Sequence, residues 1–245
     1  MAHLRGRERT RYVTRMFARI SRRYDLLNTV MTGGMHYVWR RRGTRLAVGD
    51  LSGPALDIAT GTGDFAFDLA RKTSVSHVVG LDYTPEMLSI AARKARRQGV
   101  AERLTLAVGD AHALPFPDDS FICATVGFGI RNFIDVPQAL REMARVVMPG
   151  GRVVILDIVR IEGRGLWSKL LPLLFRYVTP SVGALIAGDR EAYTYLPESV
   201  QEFLSANELA SLMEEAGLQN VSCRKLGLGA VAILVGEKGP FRETE

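Results

Sequence analysis

Residues 55–70 read ALDIATGTGDFAFDLA, an apolar run that breaks at Gly61-Thr62-Gly63 and resumes as an amphipathic segment. A short apolar run ended by glycines and followed by helix-forming sequence describes a strand, a tight turn and a helix N-terminus. Such a turn lets the backbone approach a ligand closely and points helix N–H groups at it. Gly61, Gly63 and Ala66 also satisfy the G-x-G-x-x-G/A spacing of a dinucleotide site. Asp82, 19 residues after Gly63 at the end of the next apolar run, stands where a carboxylate accepts from ribose hydroxyls.

Outward from this stretch the chain alternates strand and helix signals. Strand-like runs are ALDIA, HVVGLD at 77–82, LTLAV at 104–108, FICATVGF at 121–128 and RVVILDIV at 152–159. Helical patterns fill 63–72, 85–98 and 136–147, the second opened by Thr84 as N-cap and Pro85 as first helical position. MPGG at 148–151 ends the third helix and turns the chain into the next strand. A βαβ series of this kind predicts a mostly parallel sheet with helices on both faces. Beyond residue 160 the pattern becomes an apolar, helical insertion (161–204). SANELASLMEEAGL follows, with Ser205 as its cap, and VSCRKL and AVAILVG are the last of seven strands.

With 245 residues, 47% hydrophobic and 24% charged, the chain suits one large α/β domain over 1–245. Its expected parts are a basic helical segment at 1–45, a cofactor-binding core at 50–160, the insertion, and a carboxyl-terminal helix and strands at 205–245. Cys123 and Cys223 support neither a disulfide framework nor a CxxC metal site, so a reducing, cytoplasmic setting is expected. His3, His36, His77 and His112 show no ligand spacing, and no metal is expected.

The net charge of +6 is uneven: residues 1–45 carry twelve arginines against Glu8 and Asp25, a balance of +10, so the rest sums to −4. This arginine-rich segment suits an anionic membrane surface or an acidic partner; no motif or aromatic interleaving supports nucleic acid. No apolar signal-peptide core follows Met1. LWSKLLPLLFRYVTPSVGALIA at 166–187 is long enough to span a bilayer, but Lys169, Arg176 and two prolines argue against it. Both monomer and homodimer are compatible with the sequence.

The cofactor is narrowed by Asp57, which lies inside the first strand. There an anion would repel a pyrophosphate, whereas the ammonium and sulfonium of S-adenosylmethionine suit it. Asp110-Ala111, after the third strand, can read an adenine amino group and ring nitrogen. An NAD oxidoreductase remains the alternative, and explains only the glycine loop and Asp82.

The stretches FARISRRYDLLNTVMTGGMHYVWRR, DIATGTGD, VGLDYTPEML, GDAHALPFPDDSF, GFGIRNFIDVPQAL and YTYLPESV resemble a known family over about residues 14–238. It is that of the quinone-biosynthesis C-methyltransferases, which act on demethylmenaquinol and polyprenyl methoxybenzoquinol. The resemblance implies a class I, Rossmann-like methyltransferase fold with an N-terminal helical lid, and S-adenosylmethionine as cofactor. Its expected activity is C-methylation of a polyprenyl quinol, demethylmenaquinol before other quinols or small aromatics. It also places Thr62, Asp82, Asp110, Ala111 and Gly127 on the family's cofactor-contacting positions, and together with Asp57, Gly61, Gly63 and Tyr83 they make up the expected cofactor site. Asp110 and Gly127 stand where the family usually has Asn and often Ser, and Asp157-Ile158 replaces its Glu-Phe.

Arg131 is expected just beyond the fourth strand, stabilising the developing phenolate or orienting a water. Asn132 orients the ring or caps the turn, and His36 is either general base or structural. Tyr24, Asp25, Asn28 and Trp39 belong to a lid over the substrate, although Phe17, Ile20, Tyr24 and Leu27 also fit a plain amphipathic helix. Tyr195 either faces the quinol or packs.

Overall fold

The computed structural model describes residues 6–162 and 190–240. Three helices come first, α1 (Gly6–Ile20), α2 (Tyr24–Thr32) and α3 (Met35–Val48). Then β1 (Gly53–Ile58), α4 (Asp64–Ala70), β2 (Val75–Asp82), α5 (Pro85–Arg97) and β3 (Leu104–Val108) alternate. They are followed by β4 (Phe121–Gly127), α6 (Val136–Val146), β5 (Val147–Ile158), α7 (Arg190–Glu202), α8 (Ala206–Glu215), β6 (Leu218–Leu226) and β7 (Val231–Lys238).

The seven strands form one sheet in the order β3-β2-β1-β4-β5-β7-β6. β1 to β5 pair in parallel, and β7 runs antiparallel to both β5 and β6. Strand order reverses where β1 meets β2 on one side and β4 on the other, so a crevice opens at their carboxyl ends.

β4 is buried along nearly its whole length, as a central parallel strand covered on both faces must be. One buried cluster fills the side of α6 and α8 with Leu140, Met143, Leu209 and Met213. Another fills the opposite face with Phe65, Phe67, Ala91 and Val100. Burying each large side chain contributes roughly 1.5–3 kcal/mol.

Two expectations shift. MPGG does not separate helix from strand: β5 already begins at Val147, and its pairing with β4 shifts register between Phe121 and Cys123. Thr84 does occupy the N-cap of α5, but its side chain makes no cap bond. Ser205 behaves as read, forming a reciprocal capping box with Glu208. The apolar stretch 166–187 lies outside the described residues.

Residues 6–48 form α1, a 3-10 turn at Ser21–Arg23, α2 and α3, the last two joined by Gly33-Gly34. Ile20 and Leu27 are buried in a small cluster with Val13, Met16 and Tyr195, while Phe17 and Tyr24 pack partly exposed against it. That cluster ties α1, α2 and α7 together over the crevice.

Candidate active site

The crevice is floored by the ends of four strands. Ile58 ends β1 and Gly61 follows it, Leu81 and Asp82 end β2 with Tyr83 and Thr84 after them, Gly109 to His112 follow β3, and Gly127 ends β4 with Phe128 and Gly129 after it. Its roof is α1 and the start of α2, through Val13, Phe17 and Tyr24. Gly127 is required by packing beneath it, since a Cβ there would stand 2.8 Å from the Phe65 ring. Gly63, at φ +91°, adopts a left-handed conformation, and its absent Cβ leaves room for the Phe67 ring.

Asp82 pins this loop. Its Oδ2 accepts from the Gly61 N–H at 2.8 Å and its Oδ1 from the Thr84 N–H at 2.8 Å, linking the glycine turn to the start of α5. Burial raises its pKa, and these backbone donors oppose the rise. Each carboxylate oxygen keeps a second lone pair. Asp82, Tyr83 and Gly61 all line the crevice.

At the end of β3, Asp110 Oδ1 accepts from the His112 N–H at 2.9 Å and contacts His112 Nδ1 at 2.6 Å. The Asp135 N–H donates to His112 Nε2 at 3.2 Å, so the network assigns the ring proton to Nδ1. Burial would raise the Asp110 pKa, but the His112 bonds outweigh it and hold the carboxyl low. With Oδ1 occupied, Oδ2 is the oxygen left for an amino group. Ala111 lines the same wall. His112 is a site residue the sequence reading passed over, although its position two residues after Asp110 suits an aspartate-centred turn.

A smaller recess lies under the glycine loop, lined by Asp57, Thr62, Tyr24, Arg40 and Asp64 among others. Asp57 is fully buried, and its two oxygens accept from Thr60 Oγ1 and Thr125 Oγ1, each at 2.7 Å. Burial pushes its carboxyl up to about 6 against these bonds. A nearby cationic ligand would favour the ionised form.

In the ligand-free protein this shift has a definite sign. The protonated form contributes its full stability below the unfolded value of 3.8, and the contribution is lost as pH rises through about 6. The whole swing is about 3 kcal/mol, of which roughly 1.5 kcal/mol falls between about pH 5 and pH 8. Asp57→Asn should lack that part of the pH dependence. Urea unfolding of wild type and variant at both pH values checks it, and parallel pH dependence would contradict it.

The N-terminal helices are tied to the loop by an ionic network. Thr62 Oγ1 donates to Asp25 Oδ1 at 2.5 Å, and Lys94 Nζ reaches Asp25 Oδ2 at 2.6 Å and Asp64 Oδ1 at 2.7 Å. Arg40 approaches Asp64 at 3.8 Å. The sequence marks Thr62 as a cofactor residue and Asp25 as part of the lid, whereas nothing in it marks Lys94, Asp64 or Arg40.

Several expected site residues stand elsewhere. His36 is buried in α3, with Nδ1 against the Arg40 guanidinium and Nε2 3.2 Å from Thr29 Oγ1. Burial first, and Arg40 second, lower its pKa to about 4, so it remains neutral with both nitrogens engaged and lines neither cavity. Trp39 packs in the core, and Asn28 lies outside the cavity linings.

Arg131 also faces away from the crevice lining. Its Nη1 forms a 2.6 Å ion pair with Asp157 Oδ1 and donates to the Phe128 carbonyl at 2.8 Å, with both side chains buried. Burial acts to discharge the guanidinium, and Asp157 beside it more than reverses that. Asn132 takes the place expected of Arg131 on the crevice wall, and its Oδ1 accepts from the Tyr195 hydroxyl at 3.2 Å. Tyr195 itself is buried against Tyr12.

The glycine turn, the carboxylates ending β2 and following β3, and the small residues ending β4 fit the ribose, adenine and amino-acid parts of S-adenosylmethionine. A sheet of this order with such a crevice defines the class I S-adenosylmethionine-dependent methyltransferases. An S-adenosylmethionine-dependent methyltransferase of Thermotoga maritima has the same fold, with a TM-score of 0.63 at 20% identity over 91% of this chain and 98% of that one.

Residues 5–238 match the ubiE/COQ5 methyltransferase family, and the chain belongs to it. Its relatives include the demethylmenaquinone methyltransferase of Deinococcus radiodurans, 42% identical over 92% of each chain. That of Thermus thermophilus is 43% identical over 91% of this chain and all of its own length. The protein is thus an S-adenosylmethionine-dependent methyltransferase. Among the described residues, no helix is long and apolar enough to cross a membrane.

Proposed function

We propose that the protein methylates a ring carbon of demethylmenaquinol, giving menaquinol. The observation that carries this reading is the composition of the crevice roof and far wall. Phe17, Val13 and Phe133 offer apolar and aromatic surface to a flat ring, and Asn132, supported by Tyr195, offers a polar group at its edge. The names of the two relatives above point to the same ring.

When bound, S-adenosylmethionine supplies an electrophilic methyl group. Asp82 and Gly61 would hold its ribose end, Asp110 and Ala111 its adenine, and Asp57 with Thr62 the region of its positive charge. The ring carbon becomes nucleophilic when the neighbouring hydroxyl loses its proton. Asn132 would orient that hydroxyl, and Phe17 and Tyr24 would close the ring off from water. Held in near-attack geometry, two reactants can save ~7–11 kcal/mol of barrier. Arg131 has a positioning role in this scheme, fixing the turn that presents Asn132.

A substrate with a polyprenyl tail resides in a bilayer, so the enzyme is proposed to work at an anionic membrane surface, aided by its basic amino-terminal segment. The substrate assignment is tested by offering demethylmenaquinol and a demethylated methoxybenzoquinol of equal tail length. A kcat/KM at least about tenfold higher for the naphthoquinol is expected, a difference of ~1.4 kcal/mol in transition-state binding. Preference for the benzoquinol would move the protein to the ubiquinone-type reaction.

A further inference from the structure

α2 and α3 form a hairpin whose outer face is unusual for a water-soluble surface. Six of the ten large hydrophobic side chains that are exposed among the described residues fall between positions 26 and 46. Leu26, Val30, Met35 and Val38 are each between 45% and 54% exposed. The two helices are joined only by Gly33-Gly34, whose α-carbons face open space, so Val30, Met35 and Val38 sit around one projecting tip.

The charge around that tip has one sign. Arg22, Arg41 and Arg45 are exposed on the same two helices and their approach. Asp25 is the sole acidic residue between positions 22 and 49, and both its oxygens are turned inward to Thr62 and Lys94. Apolar side chains at one end of a hairpin whose flanks expose arginines are complementary to an anionic lipid surface, where the apolar groups enter the acyl boundary and the guanidiniums meet phosphate. An interface with a second copy through this face would bring like-charged flanks together, which is unfavourable.

We infer that the α2–α3 hairpin is the membrane-docking element, inserting Val30, Met35 and Val38 into an anionic leaflet. This rests on the polyprenyl-quinol reading, which requires a membrane-resident substrate. It goes beyond the amino-terminal charge by naming the surface that enters the lipid. α2 begins at Tyr24, which lines the crevice, so docking the hairpin sets the crevice roof beside the bilayer from which the quinol comes.

The test is sedimentation of the full chain with vesicles of phosphatidylglycerol and phosphatidylcholine, compared with pure phosphatidylcholine, with no quinol present. Wild type should bind the anionic vesicles. Val30→Ser with Val38→Ser should bind at least about tenfold less, because both apolar side chains are withdrawn from lipid. Arg22→Gln with Arg45→Gln should show a shallower salt dependence than wild type, because screening acts on those two charges among the twelve of the basic segment. Both double variants should keep their thermal melts and their turnover of a short-tailed demethylmenaquinol in detergent. That assay reads the substrate assignment separately, so its failure leaves vesicle binding interpretable. Wild type that ignores anionic vesicles, or a Val30/Val38 variant that binds them as wild type does, overturns the inference. So does light scattering that shows a wild-type dimer split by the valine substitutions while vesicle binding is unchanged.

Discussion

Arg131→Ala should destabilise the protein by about 3–5 kcal/mol, because it leaves the Asp157 carboxylate buried with no cation beside it. The pair is sealed: Arg131 is 7% exposed and Asp157 fully buried, at 2.6 Å. The same substitution removes the bond to the Phe128 carbonyl and loosens the turn carrying Asn132. A chain of this size should lose on the order of 10 °C in melting temperature. Replacing both partners together, as Arg131→Met with Asp157→Leu, should cost less than either single change, since no lone charge is then buried. Urea unfolding gives the free energies. Single-turnover methylation below the melting range separates this from direct catalysis: a folded Arg131→Ala slowed ~10²-fold with unchanged stability would restore Arg131 to the reacting centre.

Asp82→Ala should be the most damaging change for the cofactor. Its carboxylate does two jobs: it accepts from the Gly61 and Thr84 N–H groups, and it offers remaining lone pairs to the crevice. Losing charge-assisted bonds to a ligand costs about 1.5–3 kcal/mol, or ~10–100-fold in affinity, and the freed N–H groups add disorder in the glycine loop. Asp82→Asn keeps one acceptor oxygen but turns an NH2 group toward the second N–H, so it should recover only part of the affinity. Calorimetric titration with S-adenosylmethionine and S-adenosylhomocysteine measures this. Unchanged affinity for both would reduce Asp82 to a structural pin.

Most of the sheet was legible because central parallel strands are continuous apolar runs, and LTLAV became β3 without a shift in either boundary. MPGG misled because glycine usually ends pairing, whereas here a register shift carries the strand through it. Asp57, Asp82 and Asp110 could be located along the chain because each lies in or just beyond an apolar run that is a strand, whereas Thr62 came from the resemblance alone.

The errors have physical causes. Ile130–Asn132 is a 3-10 turn, so successive side chains diverge by about 120° and Arg131 and Asn132 cannot both face the crevice. His36 was open between general base and structural residue, and its place in a buried stripe of α3 with Trp39, Arg40 and Gly43 favours the structural role, which one histidine's chemistry cannot decide from sequence. The Lys94 pairings with Asp25 and Asp64 join residues 69 and 30 positions apart, a separation no local pattern encodes.

The central claim is transfer of a methyl group from S-adenosylmethionine to a quinol ring carbon. The most direct test incubates the protein with methyl-labelled S-adenosylmethionine and demethylmenaquinol, kept reduced in one reaction and oxidised in another, and locates the label by NMR. Labelled menaquinol with the methyl bonded to ring carbon is expected, formed only from the reduced substrate. A methyl ether on the ring oxygen, or equal product from the oxidised quinone, would contradict it.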